Sequence, residues 1–229
     1  MPVKAILFDK DGTLFDFGAT WNGWARNMID ELSAGDGPTA ERIADAVRFD
    51  LGAGVFHRDS IVIAGTNREV AEAILPHLAG WELAQLEFRL GHSAAQAEQA
   101  EAVPLVAFIQ GLKARGMVVG VMTNDAEISA RGQLGRAGVL EDFDFVAGFD
   151  SGHGMKPDPD PLLAFCAAVD VSPAEALMVG DSTHDLVAGR AAGMQVLGVL
   201  TGMAEAATLS PFADAVLPDI GHIPAWLDG

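Results

Sequence analysis

Short apolar runs recur along the second half of the chain and occur once near its start. Runs that end at polar residues or glycine are typical of strands buried on both faces of a parallel sheet. Helical patterns separate most of them, so the sequence predicts an α/β fold with ligands at the carboxyl ends of the strands. The predicted strands are KAILFD (4–9), MVVGVMT (117–123), FVAGFD (145–150), ALMVGD (176–181), MQVLGVL (194–200) and, more weakly, DAVLP (214–218).

Start and stop signals mark the helices between these strands. Pro104 precedes an amphipathic pattern, and Gly116 follows its end, as expected for a helix with proline at its start and glycine after its last turn. Ser172 and Glu175 have the spacing of a capping box, in which two side chains satisfy the free backbone N–H groups of a helix start. The sequence therefore predicts helices after each of these signals.

Residues 17–98 break the alternation of strands and helices. Several helical patterns follow one another there, with hardly a convincing strand, and residues 93–102 resemble a solvated linking helix. We therefore expect a core made of residues 1–16 and 99–229 and an inserted α-helical cap made of residues 17–98. Because the insertion directly follows the first strand, it should lie over the carboxyl edge of the sheet, like a lid.

Charge and composition narrow the possible partners. Half of the residues are hydrophobic and 20% are charged, which favours a compact globule over a disordered chain. The 14 basic and 32 acidic residues give a net charge of −18, so the chain should repel nucleic acids and anionic membrane surfaces. An anionic substrate would need a local cation to reverse this field.

The start of the chain, its cysteine content and its lack of a long apolar window favour a cytoplasmic location. Cys166 is the only cysteine, so no disulfide can form within the chain, and its apolar helical surroundings favour core packing. The apolar run at the start of the chain is too short for a signal peptide, and no window approaches the ~20 apolar residues of a membrane span. We expect a monomer or a homodimer.

Polar residues that can perform chemistry follow the predicted strands. Several carboxylates at one point repel each other unless a cation neutralises them, and an oxygen-rich site without paired His or Cys is suited to Mg²⁺. A lysine and a threonine hydroxyl beside the metal would suit a phosphate, so the pattern predicts phosphoryl transfer. The candidates are Asp9 and Asp11 after the first strand, Thr123 and Asn124 after the second, Lys156, and Asp181 with Asp185.

Four segments resemble, in order and in strand placement, the four motifs of the haloacid dehalogenase superfamily. They are DKDGT (9–13), MTN (122–124), the lysine of MKPDP (155–159) and GDSTHD (180–185). The insertion after the first motif is similar to the helical cap of the phosphoglycolate phosphatase-like branch. The resemblance covers the whole chain and implies a Rossmann-like parallel-sheet core, a helical cap, and hydrolysis of a small-molecule phosphate ester such as 2-phosphoglycolate.

The resemblance also implies a role for each residue. Asp9 would attack phosphorus and form an aspartyl phosphate. Asp11 would protonate the leaving oxygen and then deprotonate the attacking water. The implied Mg²⁺ ligands are Asp9, the backbone carbonyl of Asp11, Asp181, and Asp185 either directly or through water. The implied phosphate-binding residues are Gly12, which also lets the backbone turn, Thr123, the backbone amide of Asn124, and Lys156.

Other activities of the family remain to be weighed. A β-phosphoglucomutase-like enzyme would keep all four motifs, so it stays open as the alternative, as does a catalytically silent binding protein. A haloalkanoate dehalogenase generally lacks the second aspartate, so Asp11 argues against it. A phosphonate hydrolase would use a cap lysine, and residues 17–98 contain none.

Four further residues are of interest beside the motif residues already named. Arg58 is a candidate contact for an anionic group or simply an exposed charge. Trp21 and Trp24 are expected to pack the cap's helices, although an aromatic residue there could also touch substrate. Lys10 differs from the apolar residue often found between the two aspartates of this family.

Overall fold

A computed structural model describes residues 2–63 and 65–229 and contains a six-stranded parallel sheet and a two-stranded antiparallel hairpin. The strands are β1 (Ala5–Phe8), β2 (Phe49–Asp50), β3 (Val55–Phe56), β4 (Val118–Met122), β5 (Phe145–Ala147), β6 (Ala176–Gly180), β7 (Gln195–Val199) and β8 (Ala215–Leu217). The order in the large sheet is β5-β4-β1-β6-β7-β8, and β2 pairs with β3. All six predicted strands and the α/β fold class are therefore confirmed.

Ten α-helices accompany these strands in the described part of the chain. They are α1 (Phe17–Ser33), α2 (Gly37–Val47), α3 (Asn67–Ile74), α4 (Leu83–Gln96), α5 (Leu105–Ala114), α6 (Glu127–Arg136), α7 (Asp160–Ala168), α8 (Thr183–Ala192), α9 (Ala206–Leu209) and α10 (Ile223–Asp228). Among the described residues, no helix combines the length and the apolarity that crossing a bilayer requires.

The large sheet buries both of its faces, which explains why its strands are continuous apolar runs. Along β1, Ile6 and Phe8 face a cluster that includes residues of α5, α6 and α10. Ala5 and Leu7 face the opposite cluster, which includes residues of α7 and α8. Because β1 pairs with β4 on one side and β6 on the other, it lies in the middle of the core.

Residues 17–98, which we call the cap segment, build a separate apolar cluster. Helices α1 to α4 and the β2–β3 hairpin supply its buried side chains, among them Ile29, Ile43 and Leu86. The two chain crossings into this segment run side by side, since Asp16 N donates to the Ala100 carbonyl at 2.7 Å. This separate packing supports our proposal that residues 17–98 are a cap on a core of residues 1–16 and 99–229.

Three local predictions were wrong. The cap segment contains the short β2–β3 hairpin, which the sequence pattern did not indicate. The solvated linking helix predicted over residues 93–102 is not present as such, because α4 ends at Gln96 and Ala94 and Ala97 are buried in the cap cluster. Ser172 makes no capping hydrogen bond with its side chain, and only a single 3-10 turn, Pro173–Glu175, follows it.

Candidate active site

The carboxyl ends of β1, β4 and β6 bring the predicted site residues to one edge of the sheet. These three strands are neighbours, so the residues that follow them, Asp9, Thr123 and Asp181, converge. They line a cleft between the sheet edge and the cap segment. Seven of the eight predicted site residues line this cleft: Asp9, Asp11, Thr123, Asn124, Lys156, Asp181 and Asp185.

Three buried carboxylates lie together at the base of the cleft. Asp9, Asp181 and Asp185 each offer an oxygen within 4.8 Å of the others. Burial raises the pKa of Asp9 to about 7, with Lys156 opposing the rise and Asp185 and Asp11 adding to it. Burial, followed by the charges of Asp9 and Asp185, also raises the pKa of Asp181 well above its ordinary value. The carboxylate charges destabilise one another here unless a cation offsets them.

One carboxylate oxygen of this cluster has no hydrogen-bond partner in the described part of the chain. Asp181 Oδ2 is buried and accepts no hydrogen bond from any of the described residues. A buried oxygen of this kind is costly unless a donor or a metal ion satisfies it. The donor set consists of hard carboxylate oxygens, which divalent cations such as Mg²⁺ prefer. The residues present therefore fit a divalent metal ion.

Three glycines make room for the carboxylates because they have no side chain. A Cβ atom on Gly12 or Gly202 would overlap the Asp181 carboxylate, and one on Gly180 would overlap Asp185. Gly12 also has a φ of +83°, in the left-handed region that L side chains rarely adopt. Gly12 is not part of the cleft lining, so its position points to making room for Asp181 rather than to the predicted contact with phosphate.

Lys156 pairs with two of the carboxylates. Its Nζ lies 2.5 Å from Asp9 Oδ1 and 2.7 Å from Asp185 Oδ1, and it donates to the Met122 carbonyl at 2.8 Å. Burial would lower the pKa of Lys156, but the charges of Asp185 and Asp9 outweigh burial and raise it. The lysine therefore stays cationic. Its three N–H groups already have three acceptors, so contact with a phosphoryl oxygen requires one of them to be exchanged.

Asn124 and Ser182 hold this lysine and its partner in place. The Asn124 side chain accepts from Lys156 N at 3.0 Å and donates to the Lys156 carbonyl at 2.9 Å, so it fixes the peptide of the lysine. Asp185 Oδ2 accepts from Ser182 N at 3.0 Å and from Ser182 Oγ at 2.7 Å. The bond from Ser182 N, together with a bond from Asp185 N to the Ser182 side chain, forms a capping box at the start of α8. Asp185 thus caps the N-terminus of α8 with one carboxylate oxygen and forms an ion pair with Lys156 through the other.

Asp11 is held by one residue of the core and one of the cap segment. Trp21 Nε1 in α1 donates to Asp11 Oδ1 at 2.8 Å, and Lys10 Nζ lies 2.5 Å from Asp11 Oδ2. Burial raises the pKa of Asp11, while the Lys10 charge opposes the rise. Both carboxylate oxygens of Asp11 therefore have partners, and one of these, Trp21, belongs to the cap segment.

Sequence reasoning missed the role of Lys10 in the structure. Its side chain is fully buried, and its Nζ also lies 3.4 Å from Asp125 Oδ2, contacts Gln133 Oε1 and lies 5.5 Å from the ring centre of Trp21. Asp125 in turn accepts from Asn67 Nδ2 in α3 at 2.9 Å. The signal was available, because a lysine between two carboxylates directly after a buried strand is in a poor position to reach solvent.

The remaining candidates divide between the cleft and the surface. Trp21 and Trp24 line the cleft and contact each other edge to face, with ring centres 5.2 Å apart. His184 lines it from the core side and is half-buried. Arg58 does not line it; its exposed guanidinium pairs with Glu205 beside a neighbouring groove.

Comparison with known proteins agrees with this geometry. The family model for haloacid dehalogenase-like hydrolases matches residues 3–193. A phosphoglycolate phosphatase from Thiobacillus denitrificans is 31% identical over 224 residues, which are 97% of this chain and 94% of that protein. An N-acetylmuramic acid 6-phosphate phosphatase from Pseudomonas putida is 29% identical over 203 residues, which are 88% of this chain and 85% of that protein.

A solved structure shares the same architecture. CbbY from Rhodobacter sphaeroides, in complex with phosphate, superposes with a TM-score of 0.76 at 23% identity, covering 99% of this chain and all of that chain. At this identity the likeness concerns the fold.

Proposed function

The chain belongs to the haloacid dehalogenase-like hydrolases and is a phosphatase, and we propose that it hydrolyses a small phosphomonoester with Mg²⁺ as its cofactor and Asp9 as its nucleophile. The observation that carries the proposal is the meeting of Asp9, Lys156 and the unpartnered Asp181 oxygen at the base of one cleft. A nucleophile, a fixed cation and an unsatisfied carboxylate oxygen together suit attack on an anionic phosphoryl group.

Asp9 would form the bond to phosphorus. One of its carboxylate oxygens attacks, the ester oxygen leaves with the bonding electrons, and an aspartyl phosphate remains. As Asp9 becomes esterified it loses its negative charge, so the Lys156 ammonium, now 2.5 Å from Asp9 Oδ1, can exchange that partner for a phosphoryl oxygen. The lysine would then stabilise the negative charge on the transferring group.

Asp11 would move the protons. In the first half-reaction it gives a proton to the leaving alcohol, and in the second it takes one from the water that hydrolyses the aspartyl phosphate. Its raised pKa favours the protonated form that the first step needs. One of its oxygens must exchange Trp21 or Lys10 for substrate, and the indole lies in the cap segment. Movement of the cap segment would therefore change the environment of the acid.

Mg²⁺ would be held by Asp9, Asp181 and the backbone carbonyl of Asp11, with Asp185 bound directly or through water. When bound, it supplies positive charge that offsets the carboxylates and attracts the phosphate dianion. Thr123, which lines the cleft, and the backbone amide of Asn124 would hold the phosphoryl oxygens beside Lys156. The crowding that raises the carboxyl pKa values supports this assignment.

The names of the relatives make 2-phosphoglycolate the first ester to test. The β-phosphoglucomutase-like alternative stays a hypothesis, since a mutase keeps the same core residues and differs in how well the cap excludes water. A cytoplasmic location and a monomeric or homodimeric state also stay predictions from the sequence.

Release of inorganic phosphate from a panel of phosphomonoesters tests the proposal. The panel holds 2-phosphoglycolate, hexose phosphates and phenyl phosphate, each with Mg²⁺ and with EDTA, and Asp9→Asn is the control that lacks a nucleophile. We expect release that needs metal and is lost in the variant. Metal-independent release, or equal release by the variant, would overturn the mechanism. Isomerised sugar phosphate without phosphate release would favour the mutase.

A further inference from the structure

The wall that the cap segment contributes to the cleft is almost entirely apolar. Eight of its described residues line the cleft, and none of the eight carries a charge. Two of them are Gly65 and Asn67. The other six are hydrophobic: Trp21, Trp24, Val62, Ile63, Val70 and Ala94. The leaving group of a phosphate held at Asp9 must pass along this wall, because the other side of the cleft is formed by the catalytic edge of the sheet.

Three side-chain nitrogens of this wall each already donate a hydrogen bond within the protein. Trp21 Nε1 donates to Asp11 at 2.8 Å, and Trp24 Nε1 donates to Ser93 Oγ at 3.0 Å. Asn67 Nδ2 donates to Asp125 at 2.9 Å. With both indole N–H groups engaged in this way, the tryptophans present carbon to the cleft. Flat apolar surfaces of this kind favour rings and C–H faces over charged groups.

Among the described residues, the lining of the cleft contains no lysine or arginine besides Lys156 that could meet a second anionic group. Lys156 is shared among Asp9, Asp185 and the Met122 carbonyl. The lining also contains five carboxylates, those of Asp9, Asp11, Asp125, Asp181 and Asp185. His184 also lines the cleft on the core side. A carboxylate on the leaving group would thus be desolvated among apolar and acidic neighbours.

We propose that the substrate is the phosphate ester of an uncharged alcohol that presents an apolar face, a ring or a C–H surface, to Trp21 and Trp24. This inference rests on the proposed phosphatase function and narrows its substrate class. It distinguishes the chain from an enzyme that is specific for 2-phosphoglycolate, whose leaving alcohol, glycolate, carries a carboxylate. Burying such a charge without a partner costs far more than burying an amide or a hydroxyl of the same size.

A matched pair of esters tests the inference on the wild-type protein. 2-Phosphoglycolate and 2-phosphoglycolamide have the same shape and the same phosphate group and differ in the charge of the leaving group. Benzyl phosphate adds a ring. With Mg²⁺ at pH 8, we expect kcat/KM for the amide to exceed that for the carboxylate by about tenfold or more, and benzyl phosphate to exceed both.

The possible results distinguish a wrong substrate class from a wrong assignment of phosphatase activity. A kcat/KM for 2-phosphoglycolate equal to or above that for the amide would overturn the inference and leave the phosphatase intact. No metal-dependent release from any of the three esters or from the wider panel would overturn the phosphatase itself.

A positive charge placed on the cap wall should change the relative kcat/KM of the two matched esters. Val62→Arg adds a guanidinium to the lining, and we expect it to raise the ratio of kcat/KM for 2-phosphoglycolate to that for the amide several-fold. Val106→Arg, on the exposed side of α5 and outside the lining, is the matched control and should leave the ratio unchanged. If Arg58→Ala instead lowers the turnover of 2-phosphoglycolate alone, Arg58 supplies the missing cation and the inference is wrong.

Discussion

The two walls of the cleft differ in charge and in the way their side chains are held. The core wall carries five carboxylates and a lysine, and hydrogen bonds from neighbours such as Asn124 and Ser182 fix several of their atoms. The cap wall is mainly apolar, and its hydrophobic side chains pack in or against the cap cluster, although Trp21, Trp24 and Asn67 also donate one hydrogen bond each. One wall is thus suited to bond breaking and the other to choosing which alcohol enters.

Two buried lysines, Lys156 and Lys10, differ in which parts of the molecule surround them. Lys156 faces Asp9 and Asp185 at the base of the core wall. Lys10 lies where the walls meet, between Asp11 and Asp125, and both of these carboxylates also accept a hydrogen bond from the cap segment. We therefore expect loss of Lys156 to affect the chemical step and loss of Lys10 to affect stability and the seating of the cap.

Removing the charge of Asp9, the proposed nucleophile, should reduce turnover more than any other change. Asp9→Asn keeps the shape of the side chain and removes its charge, so we expect kcat to fall by at least about 10⁴-fold. Phosphate release gives the rate, and the thermal midpoint shows whether the fold survives. A folded variant with a rate near that of wild type would exclude Asp9 as the nucleophile.

Removing Lys10 should destabilise the junction of the walls. Lys10→Met leaves Asp11 and Asp125 close together without their shared cation, and breaking a buried pair in this way costs about 3–5 kcal/mol. Denaturant unfolding measures the loss. Lys113→Met is the control, because Lys113 pairs with Asp144 at the surface and an exposed pair contributes at most about 1 kcal/mol. Equal losses in the two variants would contradict a structural role for Lys10.

Removing Lys156 should slow the chemical step. Lys156→Ala takes away the fixed positive charge beside Asp9, and we expect kcat to fall by about 10²–10³-fold, as for the loss of other charge-stabilising donors. Lys4→Ala, which breaks the surface pair with Glu175, should leave kcat unchanged. A Lys156→Ala enzyme with an unaltered kcat would rule out this role.

Filling the space beside Asp181 should weaken metal binding. The added Cβ of Gly202→Ala would overlap the Asp181 carboxylate, so we expect Mg²⁺ affinity to fall by about 10–100-fold. Calorimetric titration with Mg²⁺ measures it without reference to activity. Gly111→Ala in α5 meets no atom within 4 Å and should keep the affinity while stabilising the helix by about 0.5–1 kcal/mol. Unchanged affinity in Gly202→Ala would remove Asp181 from the metal site.

The strands and the charged residues after them could be predicted because their signals are local. An apolar run followed by Asp9 or Asp181 contains within a few residues both the reason for burial and the group that emerges at the strand end. Gly202 could not be predicted, because it meets Asp181 only after the chain has passed through β7. The capping box predicted at Ser172 is absent, whereas one forms at Ser182, where Asp185 also pairs with Lys156.

The sequence by itself determined the parallel-sheet core, the order of its strands along the chain and the set of polar side chains that follow the strands, because periodicity and short motifs encode these directly. The tertiary structure alone decided which oxygen of Asp181 lacks a partner, that Lys10 is enclosed between two carboxylates, and that the cap presents apolar carbon to the cleft. These features depend on contacts between residues far apart in the chain, and such contacts leave no spacing pattern in the sequence.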